Sequence, residues 1–381
     1  MTSPDVIVIG AGVVGAACAL ELIESGLQVM VIDRGGIASG TTGAGEGNIL
    51  VSDKEIGPEL ILALRSREKW FEISERLGGG FELEAKGGIV VAKTADGAAQ
   101  LASLADRQGS AGVKVEQLDS FALHKAEPYL APRFESGFLY SQDAQCQPML
   151  AAAVMLQKFR ALGGTVLSHT EVTAIESDSG GVKAVVTKGK TFPCRAVVNA
   201  AGTWAGEVAA FAGAHLPISP RRGFILVTHA APKLVHHKVY DADYVANVAS
   251  GDEGLQTSAV IEGTESGTIL IGASRERVGF DRSLNISVLR TLAAQAIELF
   301  PVLAKLQLLR AYHGFRPYAP DHLPVIGEDG EIKGLWHCAG HEGAGIGLAP
   351  ASAEIISSQI LNTKSFMDAT PFSPARFAAA K

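Results

Sequence analysis

The run Asp5-Val6-Ile7-Val8-Ile9-Gly10-Ala11-Gly12-Val13-Val14-Gly15, answered by Gln28-Val29-Met30-Val31-Ile32-Asp33, decides the fold. Val6 to Ile9 are β-branched on both faces, as a strand inside a parallel sheet requires, so Asp5 to Ile9 reads as a buried strand. The glycines then open a helix carried by Ala16, Ala19, Leu20 and Ile23 as far as Gly26, and a second strand from Gln28 to Ile32 closes on Asp33. Gly10 permits the tight turn, Gly12 lets the backbone approach a pyrophosphate, and Gly15 lets helix and strand pack closely. The helix start at Val13 and Val14 offers unpaired N–H groups and the positive end of the helix dipole to phosphates. Asp33 stands where a carboxylate accepts from a ribose 2′-hydroxyl, which disfavours a 2′-phosphate. This order of strand, glycines, helix, strand and acid implies a dinucleotide, with an ordinary glycine-rich βα turn as the alternative.

The segment Ser39-Gly40-Thr41-Thr42-Gly43-Ala44-Gly45-Glu46-Gly47-Asn48 separates NAD from FAD; it is a second loop rich in glycine and hydroxyls. Thr41 and Thr42 can donate hydrogen bonds and the glycines can present backbone N–H groups to an anion. A long dinucleotide gripped from both sides needs such a loop; a flexible linker is the alternative reading, although Thr and Asn replace most of the Ser that a linker favours.

With these two loops the chain resembles the FAD-dependent D-amino-acid oxidase / glycine oxidase superfamily, which includes sarcosine oxidases and amino-acid dehydrogenases. The likeness rests on four separated features: the βαβ unit with Asp33-Arg34, the Thr41-Thr42 to Asn48 loop, Val197-Val198-Asn199-Ala200-Ala201-Gly202-Thr203-Trp204, and the stretch from Gly314-Phe315-Arg316-Pro317 to Gly347. Within that family the chain looks most like the flavin subunits of opine oxidases and hydrogen cyanide synthase, which also read Gly-Glu-Gly-Asn and Gly-His-Glu-Gly-Ala-Gly, as Gly45 to Asn48 and Gly340 to Gly345 do here. The resemblance implies an α/β fold, in which a discontinuous Rossmann-like FAD-binding domain carries an α+β substrate domain built on an antiparallel sheet. It also implies backbone contacts from Val172 to the adenine and a path of Ala201, Gly202 and Trp204 beside the dinucleotide; for Val172, simple core packing is the alternative.

The pattern along the chain agrees with that layout. Lys86 to Thr94, Thr165 to His169, Val172 to Ser177 and Val182 to Lys188 read as strands, the last expected to pair with the strand that ends at Ala201. Pro148 to Leu162 reads as an amphipathic helix. Gly223 to Thr228, Gln256 to Glu262 and Thr268 to Ala273 read as antiparallel strands, the latter two joined at Gly263–Gly267, and a helix from Ile286 to Phe300 is stopped by Pro301. Residues 1–85, 145–220 and 325–381 are thus expected to bind the nucleotide, and 86–144 and 221–324 the substrate.

Amine oxidation by flavin is hydride loss from the carbon bearing nitrogen to flavin N5, leaving an imine that water hydrolyses; the protein supplies position and electrostatics. Arg316 suits a substrate carboxylate, held in bidentate fashion in a segment stiffened by Pro317, Pro320 and Pro324. The resemblance assigns this arginine that role; an ion pair with Asp321 is the alternative. Gly340 to Gly347 precedes a helix through Ala353, Ile356 and Ile360. The N–H groups around Gly343, Ala344, Gly345, Ile346 and Gly347 can face the negative charge of reduced flavin, worth about 0.3–2 kcal/mol. Relatives acting on simple amino acids often carry a second arginine where Gly343 stands, so this chain is expected to take a bulkier, N-substituted amino acid. Glu46, His341 and Glu342 border the expected ring site, and for each a contact to the amine and a purely structural bond stay open. Tyr240 and Tyr244 are candidates for a lid. Relatives with covalent flavin carry a cysteine just before this arginine; Tyr312-His313-Gly314-Phe315 has none, so the FAD is expected to be non-covalent.

Composition narrows the partners. With 33 basic against 40 acidic residues, a net charge of −7 and no basic run, nothing in the chain starts a nucleic-acid interface. Cys18, Cys146, Cys194 and Cys338 form no C-x-x-C pair, which argues against a metal site, an iron–sulfur cluster or a redox dithiol and fits a reducing, cytoplasmic setting. Val6 to Leu20 is apolar enough to pass for a signal-peptide core, but Asp5 precedes it and Gly10, Gly12 and Gly15 interrupt it, so neither a signal peptide nor a transmembrane segment is expected. Electrons must therefore leave through oxygen or a partner. The likeness favours a partner subunit with further redox centres, through which a peripheral membrane link is open. A free-standing glycine, sarcosine or D-amino-acid oxidase making peroxide is the first rival, and an NAD-binding, non-flavin scaffold or regulator the second.

Overall fold

The computed structural model describes residues 3–242, 244 and 252–380, in a mixed α/β fold on two large sheets. Strands Val6–Ile9 and Val29–Ile32 run parallel, Val6 beside Val29 and Ile9 beside Ile32, with helix Val13–Glu24 between them. They lie within a six-stranded sheet ordered Val325–Glu328, Leu335–Ala339, Ala196–Asn199, Val6–Ile9, Val29–Ile32, Thr165–Leu167. Only the Val325–Glu328 pairing is antiparallel.

One expected pairing is corrected. Gly181–Thr187 pairs with Val172–Asp178 and with Lys190–Pro193, not with the strand that ends near Ala201. A tight hairpin at Lys188-Gly189, with Gly189 at φ +90°, returns the chain at once. Ala196–Asn199, buried throughout, suits the two-sided interior beside Val6–Ile9 instead.

The second sheet has eight strands, ordered Leu308–Tyr318, Ser219–Thr228, Ile269–Arg275, Gln256–Gly263, Lys238–Asp241, Gly88–Val91, Ser136–Tyr140, Val115–Asp119. It is antiparallel except where Lys238–Asp241 meets Gly88–Val91. Helix Ile286–Leu299 covers one face, its Val288, Leu292, Ala296 and Leu299 joining Phe224, Ile261 and Ile271 in one apolar core. Asn285 caps its start by accepting from the amides of Ser287 and Val288. The segment around Arg316, expected to be stiffened by its prolines, is the end of an edge strand; Pro317 faces Pro220 there, and an edge position tolerates residues that cannot donate.

Helix Val13–Glu24 packs between the closing helix Gly345–Ile360 and helix Pro148–Ala161. Helix Pro58–Leu77, unread in the sequence, braces the closing helix: its fully buried Trp70 donates through Nε1 to the Ile346 carbonyl at 3.0 Å. The first turn of the closing helix is thereby fixed. Among the described residues no helix is long and apolar enough to cross a membrane.

Candidate functional site

Gly10 turns at φ +117°, a region that excludes most side chains, and a Cβ there would collide with the Ala200 carbonyl. Gly15 packs directly on the carbonyl of Gly10, the close helix–strand approach expected of it. The first intrahelical bond runs from the Ala16 amide to the Gly12 carbonyl at 2.8 Å, so the amides ahead of it have no acceptor within the helix. Val13 donates instead to Thr42 Oγ1 at 3.0 Å, which ties the second loop to the helix start. Thr41 Oγ1 donates to the Phe315 carbonyl at 2.7 Å and binds that loop to the Arg316 strand. The two threonines thus hold protein to protein.

Two cavities meet at Ala200. One encloses about 1050 Å³, partly open to solvent, and is lined by Gly10, Gly12, Asp33, Arg34, Val172, Ala201 and Trp204. Asp33 accepts from the Ala11 and Gly35 amides at 2.7 Å each, and a carboxylate retains room for further donors. The Arg34 guanidinium lies 4.3 Å over the Trp204 ring, which stacks on Phe280. The other cavity encloses about 920 Å³ and is lined by Val13, Val14, Thr41, Thr42, Glu46, Asn48, Gly202, Tyr244, Arg316, His341, Glu342, Gly343, Gly345 and Ile346. A helix start with amides to offer lies between a polar cavity and a mainly apolar one, which fits a nucleotide, a pyrophosphate and a flavin ring in that order.

Some expected cofactor residues line neither space. Gly47 packs against the Cys146 backbone and donates to Glu262 Oε1 at 3.3 Å. Gly347 packs against Asn48 and Ile49, and Gly15 against Gly10. Ala344 lines a third cavity of about 900 Å³, with Lys54, Arg221 and Arg275. Tyr244, Arg316, His341, Glu342 and Gly343 line both this cavity and the one that begins at Val13, so they stand at the boundary between them.

At that boundary Arg316 donates through Nη1 to the Ser274 carbonyl at 2.8 Å. Asp321, its alternative partner, is held by Arg376 at 2.6 and 3.2 Å, so the ion pair Arg316–Asp321 does not form. Glu342 lies 3.4 Å from Arg221 and 2.9 Å from His322 Nδ1. His341 directs Nε2 at Ser352 Oγ, 3.0 Å away, and burial pushes its pKa down to about 3, which keeps the imidazole neutral. Tyr244 is buried, with the Tyr240 ring edge-on to it. Tyr240 itself is no lid: it is fully buried in a strand and hydrogen-bonded to Ser52.

Glu46 is buried beside Asn48, whose Nδ2 donates to it at 3.2 Å, and Oε1 has no hydrogen-bond partner among the described residues. Burial raises its pKa, against the opposing pull of Lys238. Lys238 Nζ lies 2.7 Å from Glu262 and 3.9 Å from Glu46, and also bonds Asn48. Lys54, Arg221, Lys238, Glu262 and Arg275 were not singled out by sequence. For Arg221, Lys238 and Arg275 the one signal was a basic residue inside an otherwise apolar strand run, as at Arg221-Arg222 in Ser219–Thr228; Lys54 and Glu262 carried none.

Comparison with known proteins agrees with this geometry. The model of the FAD dependent oxidoreductase family matches residues 5–359. The chain is 30% identical to a glycine oxidase of Geobacillus kaustophilus over 380 residues, 98% of this chain and 97% of that one. It is 27% identical to hydrogen cyanide synthase subunit HcnC of Pseudomonas aeruginosa over 420 residues, covering 98% and 96%. The crystal structure of the Geobacillus glycine oxidase superposes with a TM-score of 0.89 at 28% identity, over 98% of each chain.

Proposed function

The chain belongs to the FAD-dependent oxidoreductases, enzymes that here oxidise an amine or amino acid, and on that premise we propose that its substrate is an opine-like, N-substituted amino acid. The family ends the non-flavin scaffold reading. The observation that carries the proposal is the pairing of Arg316 with Gly343. Arg316 lines both cavities with one donor committed, and a Cβ on residue 343 would stand 3.5 Å from its Nε. A side chain at 343 would fill the space beside the guanidinium; glycine leaves it to the substrate.

In this reading the nucleotide half of FAD is held by Gly10, Gly12, Asp33, Arg34, Val172, Ala201 and Trp204, and the ring half by Val13, Val14, the Thr41–Thr42 loop, Asn48, Gly202 and the Gly343–Ile346 turn, without a covalent bond. Residues 1–85, 145–220 and 325–381 form the nucleotide domain, and 86–144 and 221–324 the substrate domain. Bound FAD supplies the two-electron acceptor for a hydride leaving the carbon that bears nitrogen. Arg316 grips the α-carboxylate and fixes that carbon. Glu46, with an unpartnered oxygen and a raised pKa, holds the proton the substrate nitrogen gives up. Water then adds to the C=N bond, releasing a carbonyl acid and an amine.

The likeness to HcnC, a synthase subunit, supports electron exit through a partner subunit. Four free, buried cysteines support a cytoplasmic setting. A second reading, a free-standing peroxide-forming oxidase of glycine or sarcosine, draws on the Geobacillus relative. Anaerobic flavin bleaching across opines, D-amino acids, L-proline, sarcosine and glycine tests the substrate. Fastest bleaching by an opine is expected, and glycine turnover above every opine contradicts it. Peroxide release in an oxygen electrode separates the two readings.

A further inference from the structure

We propose that Arg275 forms a second anion subsite beside Arg316, so that the substrate is a secondary amine bearing two carboxylates, one for each guanidinium. The inference rests on the amine-oxidation reading above and names what occupies the space that Gly343 leaves.

Around the third cavity the carboxylates are shared unevenly among the cations. Lys54 is neutralised by Asp53 and Glu59, at 3.2 and 3.1 Å. Glu342 is engaged by Arg221 at 3.4 Å. Glu55 points away to Arg107, 3.6 Å distant. Among the described residues lining this cavity, two cations remain without a carboxylate. Arg316 has a single carbonyl contact. Arg275 is 4% exposed and lines the cavity, yet among the described residues its guanidinium has neither a hydrogen bond nor an ion pair; it rests 5.2 Å over the Tyr244 ring.

A buried cation without a counter-charge is strongly unfavourable, and a protein retains one where an anion arrives to meet it. Burial and the nearby Arg316 and Arg221 charges lower the Arg275 pKa to about 10, so it is still a cation at neutral pH. The placement is built by strand pairing: Arg316 and Arg221 face each other in register on neighbouring strands, and Arg275 ends the next strand, immediately after the Ser274 carbonyl that holds Arg316. A planar guanidinium fork matches a carboxylate in bidentate fashion. Two such forks at one cavity, with no side chain at 343 between substrate and Arg316, suit an N-(carboxyalkyl) amino acid.

The test is calorimetric titration of the holoenzyme with thiodiglycolate, a dicarboxylate with sulfur in place of the amine, against (methylthio)acetate, its monocarboxylate counterpart. Thiodiglycolate is expected to bind at least about tenfold tighter, the low end for a charge-assisted hydrogen-bonded pair. Arg275→Met should erase that difference, and should lower kcat/KM for iminodiacetate at least about tenfold more than for sarcosine. Arg275→Lys should restore part of the preference. Equal binding of the two thioethers by the wild type, or equal weakening of both by Arg275→Met, overturns the subsite. If Arg275→Met does not fold, the wild-type comparison decides alone. Tight thiodiglycolate binding with no amine bleaching the flavin supports the subsite and overturns the amine-oxidation reading instead.

Discussion

Arg316 keeps most of its five donors uncommitted at the wall between two cavities, which is what an arginine awaiting a carboxylate requires. Arg316→Met is expected to lower kcat/KM for carboxylated amines by about 10- to 100-fold, the worth of a charge-assisted pair, with FAD content unchanged. Steady-state kinetics beside a flavin absorbance ratio checks it. His341 offers a test by pH. Its folded pKa, about 3, lies below the ordinary value of 6.5, so the unfolded chain binds the extra proton between those limits. Its contribution is complete above pH 6.5 and lost as pH falls toward 3. His341→Asn should make stability against pH shallower by about 1.4 kcal/mol per unit in that window, read by urea unfolding at a series of pH values. Arg316 and His341 were legible in the sequence because each sits in a local motif. Arg275 and Arg221 were not, because only the pairing of strands remote in the chain carries them to the site.

At the scale of elements, the βαβ unit was legible because strand, turn and helix are contiguous and each glycine has a local steric cause. The edge strand Leu308–Tyr318 was hidden by Gly314 and Pro317, which read as loop residues but are tolerated at an edge. Helix Pro58–Leu77 carried readable signals, Pro58 in its first turn and Gly78 closing it at φ +76°. Elements also meet through charge. Lys238, on the strand Lys238–Asp241, joins Glu262 on Gln256–Gly263 to the Glu46–Asn48 loop, all of them buried. Removing one partner of a buried pair costs about 3–5 kcal/mol, because the other charge is stranded. Lys238→Met should lose that much in equilibrium unfolding, and adding Glu262→Gln should recover part of it. No recovery would place the loss in packing instead.

At the scale of the molecule, a largely parallel sheet presents the helix start at Val13, and an antiparallel sheet presents Arg316, Arg221 and Arg275. The cavity that begins at Val13 takes its walls from both, together with the Thr41–Asn48 loop and the turn before the closing helix. Layout at this scale was partly legible: alternation of strand and helix patterns marks the first sheet, whereas the parallel contact between Lys238–Asp241 and Gly88–Val91 joins distant segments and leaves no periodic trace. In the proposed reading a single FAD spans the two cavities that meet at Ala200, and both sheets hold it.

The most direct measurement is the visible spectrum of the purified protein before and after acid precipitation. A yellow protein with about one flavin per chain is expected, its FAD released intact into the acid supernatant. A protein that stays colourless after incubation with FAD would contradict the shared cradle.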